Sequence, residues 1–149
     1  MAGFPGGDAL TNAEPFALDC DILVPAALEA QITGENAPKL KCKILAEAAN
    51  GPTTASGDEF LRGSDIFLIP DILCNAGGVT VSYFEWVQNR QNFSWTEIEI
   101  NDRLYRILEK ALQEVISFGR RNNLWMRDAA LAIGVNKVIQ AKKARGLFP

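Results

Sequence analysis

Histidine is absent from this chain of 149 residues. That excludes a His-dependent catalytic triad and any His-ligated metal site within it. Cysteine is scarce: Cys20, Cys42 and Cys74 are far apart and fit no metal-ligand spacing. Each lies at the edge of an apolar run, so free and mostly buried thiols in a reducing compartment are expected. Cys74 precedes Asn75, but no base partner is near it in sequence, and a catalytic thiol is the weaker reading. An excess of positive charge is also lacking. The net charge is −3, whereas a general nucleic-acid binder would show a basic footprint. The single basic cluster, Lys142, Lys143 and Arg145, suits the end of a helix, where cations complement the dipole. No apolar run approaches the ~20 residues of a membrane-spanning helix, and the first residues lack a signal pattern. No membrane partner, no secretion and a cytoplasmic location are therefore expected. No G-x-G-x-x-G turn occurs, so a phosphate cradle of that kind is missing from these residues.

What is present suits one globular α/β domain with a real core. The hydrophobic share of 48% is ordinary and the charged share of 22% slightly low. The first half, to about residue 78, alternates strand and helix signals. Asp21–Val24, Lys43–Ala48 and Ile66–Ile69 are short apolar runs suited to buried parallel strands. Thr11 or Asn12 could cap a short helix through Leu18, with Pro15 in its first turn. Gln31–Leu40 reads as a connection, and Ser56–Arg62 as a helix ending at Gly63.

The second half, from about residue 79, reads as helical. Val79–Gln91 is expected to form a helix directly after Gly77 and Gly78, so that the order is strand, glycine turn, helix. Free N–H groups would then point into a crevice, and the missing Cβ atoms would let a planar ligand or another backbone approach. Taken alone, Gly-Gly is better read as a tight packed connection. Thr96 and Glu99 match a capping box ahead of Ile100, Leu104, Ile107, Leu108, Ala111, Val115 and Phe118 at helical spacing. A last helix, Met126–Ala144, carries the small-residue stripe Ala130, Gly134, Val138 and Ala141, which would allow close packing.

In an open parallel sheet, ligands sit beyond the carboxyl ends of the strands. Three such ends deliver Val24-Pro25-Ala26-Ala27, Glu47-Ala48-Ala49-Asn50-Gly51 and the stretch from Asp71 to Gly78. Small residues permit contact with a flat ring. An Asn side chain offers both a donor and an acceptor, which suits a carboxamide or ribose hydroxyls. The residues alone leave alternatives open: Asn50 as a turn residue, Asn75 as a helix cap, and Ser82 bonded to its own helix. Glu47 and Glu85 read as ion-paired or solvent-facing carboxylates and receive no catalytic role.

Residues 75–86, Asn-Ala-Gly-Gly-Val-Thr-Val-Ser-Tyr-Phe-Glu-Trp, closely resemble the glutamate dehydrogenase family. So do Gly3-Phe4-Pro5-Gly6, Cys20–Ala27, Ala46–Thr54 and Arg145-Gly146-Leu147-Phe148-Pro149. The resemblance implies a partial Rossmann-like parallel sheet of about three strands followed by C-terminal helices. It implies that residues 1–149 are the C-terminal part of a coenzyme domain. The implied reaction is NAD- or NADP-dependent oxidation of glutamate to 2-oxoglutarate and ammonia. Ala26, Asn50 and Asn75 match positions that contact the nicotinamide-ribose half of the coenzyme. Val79 and Ser82 match positions lining the amino-acid pocket, with Ser82 hydrogen-bonding the side-chain carboxylate. The family's catalytic lysine and aspartate have no counterpart here, so no catalytic residue is assigned and the chain alone is expected to be inactive. Ala48 stands where the family often has Gly, which would matter if the position needs positive φ. Two alternatives are a truncated non-catalytic paralogue acting as a partner module and a dehydrogenase for leucine or phenylalanine. A missing first strand would leave Asp21–Val24 as an open edge, favouring self-association or assembly with the rest of an enzyme.

Overall fold

A computed structural model describes Gly3 and residues 5–146. Parts of the Gly3–Gly6 and Arg145–Pro149 resemblance, namely Phe4 and Leu147–Pro149, lie outside the described residues, as do Met1 and Ala2. The chain divides into two compact units, Met1–Leu68 and Ile69–Pro149.

The first unit carries the sheet. Strands β1 (Ile22–Leu23), β2 (Ile44–Ala46) and β3 (Phe67–Ile69) pair in the order β1-β2-β3. β1 and β2 are parallel, with Ile22 opposite Ile44 and Leu23 opposite Leu45. All three expected strands form, each shorter than its apolar run. Helix α1 (Ala55–Arg62) lies between β2 and β3 and ends at Gly63, as its sequence indicates. Its first turn is capped by Thr54, whose hydroxyl accepts from the Gly57 N–H at 3.2 Å. Gly57 is required there, because a Cβ would meet the Ile32 carbonyl at 2.8 Å. Leu45, Leu61, Leu68 and Ile32 are buried on this unit's core.

The expected helix from Thr11 to Leu18 is only a 3₁₀ turn, Glu14–Ala17. Pro15 sits in its first turn, so little intrahelical bonding is available. Thr11 does not act as the N-cap. It donates instead, its hydroxyl bonding the Glu14 carboxylate at 2.8 Å. These Thr11 bonds hold the Glu14 carboxyl below its ordinary range. The Gln31–Leu40 connection contains one short 3₁₀ turn, Ala37–Lys39.

The second unit is helical: α2 (Asp71–Cys74), α3 (Ala76–Gln91), α4 (Glu97–Asn122) and α5 (Met126–Arg145). The capping box ahead of α4 is formed on both sides. The Glu99 N–H donates to the Thr96 hydroxyl at 3.3 Å and the Thr96 N–H to the Glu99 carboxylate at 2.8 Å. α4 and α5 pack against each other around Val115, Met126, Ala129 and Ala130, with Leu73 of α2 against the same cluster. The small-residue stripe of α5 is buried only at Ala130. Gly134, Val138 and Ala141 are exposed, and a Cβ on Gly134 would meet nothing within 4 Å. Among the described residues no helix is long and apolar enough to cross a membrane.

One expectation changes in a way that matters for the site. The helix does not begin after Gly77 and Gly78. Pro70 caps a short helical turn, α2, and α3 starts at Ala76, so both glycines lie inside its first turn with ordinary negative φ. A glycine costs helix stability through backbone freedom. Neither packing nor conformation within this unit calls for it. A Cβ at Gly78 would meet nothing within 4 Å, and one at Gly77 would make only an ordinary contact with Leu108 at 3.8 Å.

Candidate functional site

In the first unit, parallel pairing makes β1 and β2 leave the sheet at the same end. The chain beyond each strand stays bonded to its neighbour. The Ala49 N–H donates to the Pro25 carbonyl at 2.8 Å, the Ala30 N–H to Gly51 at 2.9 Å and the Ile32 N–H to Pro52 at 2.8 Å. The Thr54 N–H returns to Ile32 at 2.8 Å. These bonds tie the two connections together, and Ala26 and Asn50, each one residue past the Pro25–Ala49 link, are both exposed. Pro25 and Ala49 beneath them are buried. A cleft of about 270 Å³ adjoins Ala26, walled by Leu10, Phe16, Ala27 and Leu28. Gly51 turns the second connection with φ of 54°, which a glycine adopts at no steric cost. Ala48 has no positive φ, so its replacement of the family's glycine strains nothing.

Of the two readings open for Glu47, solvent-facing does not hold: it is 0% exposed, and its carboxylate accepts a 2.6 Å bond from the Thr53 hydroxyl. The bond spans the base of the turn that presents Asn50. The signal for it in sequence is faint, a carboxylate between small apolar residues with a hydroxyl six positions on. Glu85 is exposed, as anticipated.

In the second unit, Asn75 is half-buried at the junction of α2 and α3. Its N–H donates to the Asp71 carbonyl at 3.0 Å. Val79 and Ser82 follow at four and seven residues' spacing, so the three share one side of the helix start. Val79 is 71% exposed, and Ser82 is exposed too. The hydroxyl that bonds back to this helix belongs to Thr80, which donates to the Ala76 carbonyl at 2.7 Å. The arrangement is an open apolar side chain beside an open hydroxyl, next to glycines that add no bulk.

A second support under Asn75 has no local signal in the residue pattern. Asp71 and Arg127, far apart in the chain, form an ion pair at 3.3 Å with side chains only 18% and 16% exposed. No disulfide forms among the described residues: Cys42 is buried, and Cys20 and Cys74 are half-buried. Burial, with a smaller push from Cys20, raises the Cys42 thiol's pKa above its ordinary value, which disfavours a reactive thiolate. Among the described residues no cluster suited to a metal ion occurs.

A parallel sheet whose strand ends carry small residues and an amide, running on into helices, is a Rossmann-like α/β arrangement. Known structures agree. The hetero-hexameric glutamate dehydrogenase of Thermus thermophilus, in a Leu-bound form, superposes with a TM-score of 0.91 at 29% identity, covering 99% of this chain and 36% of that one. The glutamate dehydrogenase of Peptoniphilus asaccharolyticus gives 0.78 at 44% identity, covering 84% of this chain and 32% of that one. The family model for glutamate/leucine/phenylalanine/valine dehydrogenases matches residues 2–146, and the chain belongs to that family. A cryptic catabolic NAD-specific glutamate dehydrogenase of Bacillus subtilis is 50% identical over 139 residues, which are 93% of this chain and 33% of that protein. The glutamate dehydrogenase of Thermotoga maritima is 46% identical over 146 residues, 98% of this chain and 35% of that protein. The chain thus spans about a third of the length of these curated relatives.

Proposed function

We propose that residues 1–149 act as one domain, the C-terminal part of the coenzyme-binding region of an NAD-dependent glutamate dehydrogenase. The observation that carries this reading is the link past the ends of two adjacent parallel strands, where the Ala49 N–H donates to the Pro25 carbonyl at 2.8 Å and the next residue of each segment, Ala26 and Asn50, is exposed. Ala26 offers a flat, unobstructed face to a nicotinamide ring. Asn50 and Asn75 supply amides for the carboxamide or the ribose hydroxyls. Val79 lines the amino-acid pocket, and Ser82 donates to the substrate's side-chain carboxylate. The reaction oxidises the α-carbon of L-glutamate. Its hydride passes to the nicotinamide, and water then replaces ammonia to give 2-oxoglutarate. NAD is favoured over NADP because curated relatives are NAD-specific. The residue that distinguishes the two has no counterpart in this chain.

The reading is tested by Asn75→Ala in the enzyme that contains this segment. Loss of one neutral hydrogen bond, about 0.5–1.5 kcal/mol, should raise the coenzyme KM severalfold and leave the glutamate KM nearly unchanged. Steady-state kinetics with each substrate varied in turn provide the check. An unchanged coenzyme KM removes Asn75 from the site.

The same reading covers partners. β1 is an edge strand among the described residues, and apolar side chains on it and just past it are open: Ile22 is 56% and Val24 51% exposed. Unpaired edges recruit strands. Purified chain should therefore sediment at micromolar concentration as a symmetric dimer. A clean monomer with fast amide exchange across residues 21–24 would show the edge left open to water.

A further inference from the structure

The turn that presents Asn75 is fastened from a distant part of the chain. Asp71 opens α2, and Asn75 closes it. The Asp71 carbonyl accepts the Asn75 N–H at 3.0 Å. The Asp71 carboxylate accepts the Ile72 N–H at 2.8 Å and the Arg127 guanidinium, through Nη1, at 3.3 Å. Arg127 lies in the first turn of α5, its guanidinium 5.7 Å from the Trp125 ring centroid. It is anchored by its neighbours, since Met126, Ala129 and Ala130 are in the α4–α5 core. Leu73, at the middle of α2, packs on that same core. A four-residue helix has too few internal bonds to hold its own shape. Its position is therefore set by Leu73 on one side and by the Asp71–Arg127 pair on the other.

We infer that Arg127 is a positioning residue for Asn75: through Asp71 it fixes where the Asn75 amide stands relative to the coenzyme. This rests on the reading of Asn75 given above. The pair is mostly buried, so solvent does little to weaken it. The guanidinium matters for its direction as well as its charge, because its N–H donors are fixed in a plane. Arg127 touches no reacting atom in this scheme. Its effect on the reaction passes through placement alone.

The first test uses this chain. Arg127→Met keeps the stem and removes the charge. Amide exchange at Ile72 and Asn75 should accelerate by about tenfold or more, while amides around Val115 and Ala129 stay protected. Unchanged exchange at Asn75 overturns the inference. The second test is kinetic, in the enzyme that contains this segment. Arg127→Met should raise the coenzyme KM severalfold, by no more than Asn75→Ala does, since its effect passes through that amide. Arg127→Lys should recover only part of this. On an Asn75→Ala background Arg127→Met should add almost nothing, whereas a merely structural role would give additive losses and defeat the inference. Asp71→Asn, which preserves shape, carries the same comparison if Arg127→Met folds poorly. If Asn75→Ala changes the coenzyme KM and neither Arg127 nor Asp71 variants do, only this inference fails. If Asn75→Ala itself has no effect, the assignment of Asn75 fails and takes this one with it.

Discussion

Purified as 149 residues, the chain should produce no NADH from glutamate above the blank. Hydride transfer needs donor and acceptor carbons held in contact, and such orientation accounts for about 7–11 kcal/mol of a typical enzymatic barrier. The sequence contains no G-x-G-x-x-G turn of the kind that cradles a coenzyme's pyrophosphate. The chain has no histidine, and the family's lysine and aspartate have no counterpart. Ala26, Asn50 and Asn75 could touch one end of a coenzyme, but contact with one end does not fix the reacting geometry. Absorbance at the NADH band with saturating glutamate and NAD is the measurement. A turnover of about 1 s⁻¹, the low end for ordinary enzymes, would refute the expectation and require a catalytic group not identified here.

The strands and the long helix were readable because their signals are local. β2 and β3 are apolar runs closed by polar or turn residues. α4 announces its start through Thr96 and Glu99, two residues of one capping box that bond each other. Ala26 and Asn50 were readable as residues past the strand ends for the same reason, and each lies one residue beyond the bond from the Ala49 N–H to the Pro25 carbonyl. The start of α3 misled because Gly77-Gly78 reads as a turn, while Pro70 and Asp71 had already begun a helical turn upstream. Two supports beneath the candidate site depend on longer separations. The Glu47–Thr53 bond closes over an intervening turn, and Asp71–Arg127 joins α2 to α5. Periodicity and spacing carry no information about such pairings. The sequence therefore leaves Glu47 open between an ion-paired and a solvent-facing carboxylate, and its burial removes the second reading.

In the enzyme that contains this segment, Ser82→Ala should lower kcat/KM for glutamate by about tenfold to somewhat over a hundredfold. The geometry gives the reason. Ser82 is exposed on the second turn of α3, on the same side as Val79, whose side chain is 71% open. Gly78 places no bulk near the helix start, since a Cβ there would meet nothing within 4 Å. A carboxylate can therefore reach the hydroxyl, with Val79 excluding water from the adjoining methylenes. A hydrogen bond to a charged group contributes about 1.5–3 kcal/mol, and its loss sets the expected fold-change. Alanine is a fair replacement because it retains helix propensity, so the fold should be undisturbed and the coenzyme KM nearly constant. A control isolates the bond further. Norvaline lacks the side-chain carboxylate, so wild type and Ser82→Ala should handle it alike, if slowly. Equal losses on glutamate and norvaline would mean a general disturbance of α3, and an unchanged kcat/KM for glutamate would remove Ser82 from the substrate pocket.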